Sequence, residues 1–516
     1  MKSSSIFIRV ENLKREINKL WNNHPLRLIL FIAFALRLIA VIFSKGFGMH
    51  DDHFLVIEAA QSWVDGYDYN NWLPWSPGNA GPSGHSFFYV GIHYLLLYLM
   101  KLVGIFQPEV KMFIIRLLHA LFSLLTVYFS FKITYKLTDK KTARLVALLI
   151  ATLWFQPWLS VRNLVEAVCI PFLMMGTWML LNIEGRKRLL LFVFSAGVIS
   201  GMAISIRFQS LFFVGGMGLV LLLQRKWLQT LSFGLGVIVI FILIQAPVDY
   251  YLWGKPFTEL TEYVRYNFAN KYEYFVSPWY TYALVIVGMI IPPISLFVFW
   301  GYLKSFKKHL LIFLPSFVFI ILHSYFPNKQ ERFIFPVIPF IVMGGIIGMQ
   351  EIKKKKKLQR LLKRSWTFFW IINFILLSFV TFHYSKKSRV ESMLFLSKFD
   401  YFNQILIEDS NNNSTIYPPL FYCRQWPNVY VVNNKTSREP CVNPFPAEKQ
   451  PAFVFFYEDN NLAHRLGRMK TILPHLTYEA RFVPGFIDQL LFILNPINRN
   501  QSIYVFRNKD VEINLR

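Results

Sequence analysis

Apolar and polar positions along this chain alternate on the scale of whole membrane crossings. Runs of about 20 apolar residues, the length that spans the hydrocarbon core of a bilayer, recur at 27–44, 112–131, 145–161, 164–182, 189–206, 208–224, 228–247, 281–301, 309–324, 333–350 and 365–383. The pattern predicts roughly eleven membrane-spanning helices. A further apolar stretch, HSFFYVGIHYLLLYLMKLVG at 85–104, would reverse the sidedness of every later loop if it crossed. It is therefore read as an in-plane or re-entrant helix, because the charge bias of the later loops outweighs one hydropathy peak. Ahead of the first span, Ile6, Val10, Leu13, Ile17, Leu20 and Trp21 recur at helical spacing against Lys and Arg. That pattern predicts an amphipathic helix lying on the membrane surface. The leader is long and basic and no small-residue cleavage site follows it, so the first span is not read as a cleavable signal.

Composition supports the membrane reading. The 516 residues are 54% hydrophobic, 18% aromatic and only 16% charged, with mean hydropathy +0.37, which excludes an ordinary soluble protein of this size. The net charge of +26 is not gathered on a nucleic-acid-binding module. It punctuates alternate loops: KITYKLTDKKTAR (132–144), EGRKR (184–188), QRKW (224–227), KSFKKH (304–309) and EIKKKKKLQRLLKR (351–364). By the positive-inside rule these loops and the basic leader are cytoplasmic, and the Lys353–Lys357 run suits anionic lipid headgroups.

Four segments follow: a leader at 1–25, a large outer loop at 45–111, the remaining membrane core of 26–383, and an extracytoplasmic region at 384–516. In the last, NVYVVNN (428–434), AFVFFYED (452–459) and SIYVFRN (502–508) read as strands, and 460–472 and 485–494 as helices, a small mixed α/β domain. Cys169 falls in a span as packing filler. Cys423 and Cys441 lie in the outward tail, where an oxidising compartment would sustain a disulfide; two thiols are the plain alternative.

Sorted by side, the unusual polar residues collect on the outer face: His50, Asp51, Asp52 and His53; Arg162 and Glu166; Arg207; Asp249 with Tyr250; and Lys329, Gln330, Glu331 and Arg332. Ionisable groups this close to hydrocarbon mark a site by default. Several cations with a few carboxylates suit a bound phosphate and a proton acceptor. A lipid-phosphate sugar fits: its phosphate would meet Arg and Lys at the interface, and Asp51 or Asp52 would take the acceptor hydroxyl's proton. Arg332, Lys329 or Arg207 would neutralise the departing phosphate without a metal, so no cofactor is assigned. Taken singly, the Asp pair is explained by solvation or ion pairing, Arg162 and Glu166 by pairing four apart on a helix, and Arg207 by capping a turn; only their convergence speaks for a site.

The stretch GMHDDHF (48–54) resembles the first-loop H-P-D-E-x-F motif of the family 22 glycosyltransferases, the GT-C-type mannosyltransferases of GPI-anchor and dolichol-linked oligosaccharide assembly. HSYFPNKQERFIFPVIPF (323–340) is similar to that family's H-S-x-x-P-H-K-E-x-R-F-x-x-P-x-x-P stretch. VDYYLWGKPF (248–257) and SPWYTY (277–282) resemble its D-x-x-x-Y-G and P-W-x-x-Y elements, and YPPLFYCRQWP (417–427) its cysteine-containing tail segment. The resemblance implies a GT-C fold, a polyprenyl- or dolichyl-phosphate-linked sugar donor, typically mannose, a glycolipid or glycan acceptor, inversion, and Asp51 as catalytic base, with Asp52 where the family has Glu. The chain departs from the pattern at Met49 and His50, which replace His and Pro, and at Asn328 and Gln330, which replace His and Glu. The nearest rivals are a GT-C transferase of another sugar, such as aminoarabinose, and a lipid-sugar flippase. Composition and these departures favour a bacterial inner membrane with a periplasmic active face. Sequons at Asn412, Asn413, Asn434 and Asn500 keep an endoplasmic-reticulum membrane with a luminal face as the alternative.

Overall fold

The computed structural model describes residues 2–78, 81–273, 275–350, 356–435, 450–495 and 499–516. The chain packs as two compact units: Met1–Ile42, Trp72–Tyr89 and Ile115–Phe382 form one, and Phe43–Asn71, Val90–Ile114 and His383–Arg516 the other. The large loop expected at 45–111 is thus divided. Its two ends group with the carboxy-terminal residues and its middle with the helices, so the units cross the 26–383 and 384–516 boundary drawn from hydropathy.

In the helical unit, each expected span is a helix or a broken one. Pro25–Phe43, Pro108–Leu137, Leu189–Ile206, Trp227–Trp253, Glu331–Gly348 and Leu358–Thr381 are long and apolar enough to cross a membrane. Thr281–Met289 and Ile294–Ser305 form a pair bent by 119°. Val165–Leu181, Ser210–Leu223 and Leu310–Tyr325 are apolar but shorter. The 145–161 segment breaks: Lys140–Thr152 stops and a short turn, Gln156–Leu159, follows with Pro157 in its first turn, where proline is tolerated. Glycine lets two helix pairs touch backbone to backbone. A Cβ on Gly197 would sit 2.1 Å from the Phe233 carbonyl oxygen, and one on Gly301 2.1 Å from that of Gly345. Small residues at such crossings are the usual route to tight packing where lipid supplies no hydrophobic drive.

The second unit carries a five-stranded sheet: β1 Gln404–Asp409, β2 Asn428–Asn433, β3 Phe453–Tyr457, β4 Leu476–Phe482 and β5 Ile503–Asn508, in the order β2-β1-β3-β5-β4. β1 runs parallel to β2 and β3, and β5 antiparallel to β3 and β4. Leu406, Val454, Phe456, Leu476 and Phe506 make one face apolar, and the amphipathic helix Leu462–Lys470 covers it through Leu462, Leu466 and Met469. Arg465 of that helix reaches Glu408 at 2.6 Å, both buried. The helix Phe87–Leu102, expected within 85–104, is present, and the Lys101 ammonium donates to the Val64 carbonyl at 2.7 Å. Gly46, at φ +74°, bridges Ser385, whose carbonyl oxygen leaves no room for a side chain. Cys423 is fully buried, which pushes its thiol up to about 12; Cys441 and the Lys353–Lys355 part of the basic run lie outside the described residues.

Candidate functional site

Two clusters hold most of the polar residues expected to matter, one in each unit. In the first-loop unit, the helix His50–His53 passes directly into a wide π turn, Phe54–Glu58, and then into Ala59–Val64. Successive residues on a helix point about 100° apart, so the two aspartates cannot share one task. Asp52 is buried, and its carboxylate turns back to accept from the Met49 N–H at 2.9 Å and the Gly48 N–H at 3.1 Å. It closes the helix start as an acid at the third position does. Asp51 is partly exposed and His50 exposed, its ring stacked on Phe54 at 4.5 Å.

His53 is buried. Its ring is sandwiched between Phe47, at 4.6 Å, and Tyr422, at 5.4 Å, and its Nε2 lies 3.3 Å from Glu58 Oε1. Glu58, also fully buried, accepts from the Phe421 N–H at 3.1 Å. Burial pushes the Glu58 carboxyl upward, against the pull of His53 and that N–H. Trp426 adds a hydrogen bond to Asp65 at 3.1 Å. The YPPLFYCRQWP segment is thus stitched to the acid-bearing loop. His53 is held in packing, and Glu58, the lone acid of the FLVIEAA run, is the residue that sequence reading missed.

In the helical unit, Glu166 begins the helix Val165–Leu181, Arg207 ends Leu189–Ile206, and Arg332 sits in the 3-10 turn Glu331–Val337. The three meet: Glu166 Oε1 lies 3.3 Å from Arg207 Nη1 and 3.8 Å from Arg332 Nε, all of them buried. Both guanidiniums lie over the Phe333 ring, at 5.4 and 5.3 Å, a cation–π arrangement that holds charge out of water. Gln209 accepts from Arg207 Nε at 3.1 Å, and Gln330 from Arg332 Nε at 2.8 Å. Gln330 therefore orients Arg332. Both Nη groups of Arg207, Oε2 of Glu166 and Nε2 of His323 are buried without a hydrogen-bond partner among the described residues. His323 is stacked on Phe319 at 3.9 Å and donates through Nδ1 to the Phe319 carbonyl, which leaves Nε2 as an acceptor. Arg162 precedes the helix and lies over Trp158 at 4.9 Å; the carboxylate four residues on turns to Arg207 and Arg332.

Other expected site residues are placed differently. The Lys329 ammonium donates to the carbonyls of Phe326 at 2.6 Å, Ser277 at 2.9 Å and Pro327 at 3.5 Å, clasping the loop whose Asn328 bridges Val276. Asp249 is fully buried; it accepts from the Gln245 amide at 2.7 Å and from the Glu259 N–H at 3.1 Å, capping the helix Thr258–Ala269. Glu259 in turn accepts from Ser83 and from the His85 N–H at 3.1 Å, and burial raises its carboxyl to about 7. Tyr250 and Glu331 are exposed. Among the described residues, no three or more His, Cys, Asp or Glu side chains gather as a metal site.

The sequence profile of the Alg9-like mannosyltransferase family matches residues 28–435. The chain belongs to that family. The human alpha-1,2-mannosyltransferase ALG9 is 24% identical over 154 residues, 26% of this chain and 25% of the relative. The zebrafish GPI alpha-1,2-mannosyltransferase 3 is 22% identical over 365 residues, 69% of this chain and 65% of the relative. The match thus spans a quarter of the human relative's length and just under two thirds of the zebrafish one's. The fold of this Alg9-like chain is that of solved GT-C enzymes: ArnT from Cupriavidus metallidurans in the apo state superposes with TM-score 0.62 at 13% identity, over 94% of this chain and 97% of ArnT. The Archaeoglobus fulgidus oligosaccharyltransferase follows at TM-score 0.54 and 12% identity, over 86% and 69%. Both clusters of the Alg9-like chain fall within the matched residues.

Proposed function

We propose that this chain is a membrane mannosyltransferase that moves mannose from a polyprenyl-phosphate donor to a hydroxyl of a lipid-linked glycan on the extracytoplasmic face, with inversion. ArnT has been solved bound to undecaprenyl phosphate, and the archaeal oligosaccharyltransferase with a dolichol-phosphate; the proposal extends that ligand chemistry to this chain. The observation that carries it is the buried triad. Arg207 and Arg332 share one carboxylate, Glu166, and both Nη groups of Arg207 are buried without a hydrogen-bond partner among the described residues. Buried donors without partners cost free energy that an anion would recover, and a phosphate oxygen is the acceptor that guanidinium geometry fits.

In the proposed step, the acceptor hydroxyl attacks the anomeric carbon as Asp51 takes its proton. The bond from that carbon to the phosphate oxygen breaks on the opposite face, and Arg207 and Arg332 stabilise the charge that grows on the departing lipid phosphate. Asp52 keeps the helix start in place. The test uses the full chain in liposomes with labelled polyprenyl-phosphate mannose and a lipid-linked mannooligosaccharide. The expected result is transfer by the wild type, none by Asp51→Asn with donor binding retained, and weaker donor binding with slower transfer in Arg332→Ala. Full turnover by Asp51→Asn would remove the base from that residue, and movement of the donor across the bilayer without transfer would replace the enzyme with a flippase.

A further inference from the structure

A groove of about 620 Å³ opens in the helical unit, away from the glutamate–arginine triad, where Trp21, the start of the helix Lys140–Thr152 and Leu362 and Trp366 come together. Its floor is apolar: Leu145, Leu148, Ile346, Met349, Leu362 and Trp366. Its rim is cationic: Lys140, Lys141 and Arg144. Among the described residues the one acid at the rim is spent, because Asp139 accepts from the Thr142 N–H at 2.9 Å, the Thr142 hydroxyl at 3.0 Å and the Gln350 amide at 3.3 Å. The helix start is therefore already capped, and the positive charge that faces the groove belongs to side chains. Among the described residues none of the three cations is in an ion pair. Lys140 and Arg144 donate to the Asn22 carbonyl, at 2.6 and 3.2 Å, Arg144 lies over the Trp21 ring at 5.5 Å, and Arg144 Nε is buried without a partner among the described residues.

Three cations without an ion pair among the described residues, around an apolar trough, match one kind of molecule: an anion with a hydrocarbon tail. We propose that this groove holds one anionic glycerophospholipid, its phosphate on Lys140, Lys141 and Arg144 and one acyl chain along Leu148, Ile346 and Leu362. The volume suits a headgroup with part of a chain, within the range of small-molecule sites. Basic pockets between helices are where acidic headgroups are held. Bound there, the lipid would pin the amino-terminal helix, through Trp21 and the Asn22 carbonyl, to the helices at 140–152 and 356–381.

The test is native mass spectrometry of the full chain in detergent, titrated with an equimolar mixture of phosphatidylglycerol and phosphatidylcholine of equal chain length. The wild type is expected to retain one phosphatidylglycerol at least tenfold more strongly than phosphatidylcholine. Lys140→Gln, Lys141→Gln and Arg144→Gln together should abolish that preference. Leu148→Trp, which fills the trough and keeps the cations, should lower retention at least tenfold. Equal retention of both lipids by the wild type, an undiminished preference in the triple variant, or undiminished retention in Leu148→Trp would each overturn the site. The last comparison stands even where the triple variant is not recovered folded.

Discussion

Replacing Glu166 with glutamine tests the triad most directly, because the change keeps shape and removes one charge. The carboxylate lies 3.3 Å from one guanidinium and 3.8 Å from the other. With an effective dielectric near 20, those distances correspond to gross attractions of about 5 and about 4 kcal/mol. Desolvation of three buried ions offsets much of this, and removing one partner of a buried pair costs about 3–5 kcal/mol net. Spread over 516 residues at roughly 2.1 cal/mol/K each, that loss lowers the melting temperature by about 3–5 °C. The same change leaves Arg207 and Arg332 with no charge from Glu166 against them, so an anionic ligand should bind the variant more tightly than the wild type. The assay is thermal unfolding in detergent with and without dolichyl phosphate. A ligand at about 100 times its dissociation constant adds about 2.7 kcal/mol, enough to recover most of the deficit. A variant as stable as the wild type would mean that the pair is not a counted interaction. A variant that is destabilised and yet gains nothing from the lipid phosphate, while the wild type also gains nothing, would show the triad to be structural.

Lys329→Met should lower the melting temperature, since three carbonyls lose a charged donor at about 1–3 kcal/mol for each buried group left unmade, yet leave KM for the donor unchanged. A raised KM would return the lysine to the phosphate. Glu259 sets a pH dependence. Its folded carboxyl sits at about 7 against an ordinary 4.5, so its contribution is full below about 4.5 and is lost as the pH rises through about 7, on the order of 3 kcal/mol. Melting curves between pH 4.5 and 8 should fall with pH in the wild type and flatten in Glu259→Gln; equal slopes would assign the dependence elsewhere.

The helices were legible because a 20-residue apolar run has few alternatives, and the tail's strands at Asn428–Asn433, Phe453–Tyr457 and Ile503–Asn508 because β-branched and aromatic residues cluster there. One strand was not. Gln404–Asp409 is buried along its whole length between β1's two neighbours, so its QILIED sequence shows no alternation to read. Leu476–Phe482 reads LTYEARF, apolar and polar in full alternation, so its period of two was open to reading and went unread, although a bulge interrupts its pairing between Tyr478 and Ala480. Asp249 and Lys329 carry the family's motif letters, but a motif records that a residue type is needed and not whether it meets a ligand or the backbone. Here the contacts of both go to the backbone and neighbouring side chains.

The adjacent aspartates show the same separation at its smallest scale. Two acids at one helix start look interchangeable in sequence, and helix geometry makes them different. The residue at the third position can bend back to the free N–H groups of Gly48 and Met49, while its neighbour, about 100° away, stays partly in solvent. Both Asp52 oxygens are engaged by backbone N–H groups, which is why Asp51 is the member of the pair proposed as base. The wide turn at Phe54–Glu58 follows from the same demand. An extra residue per turn swings Glu58 inward beneath His53 and onto the Phe421 N–H, and the acid-bearing helix is fixed to the tail by a contact that no spacing in the loop alone would reveal.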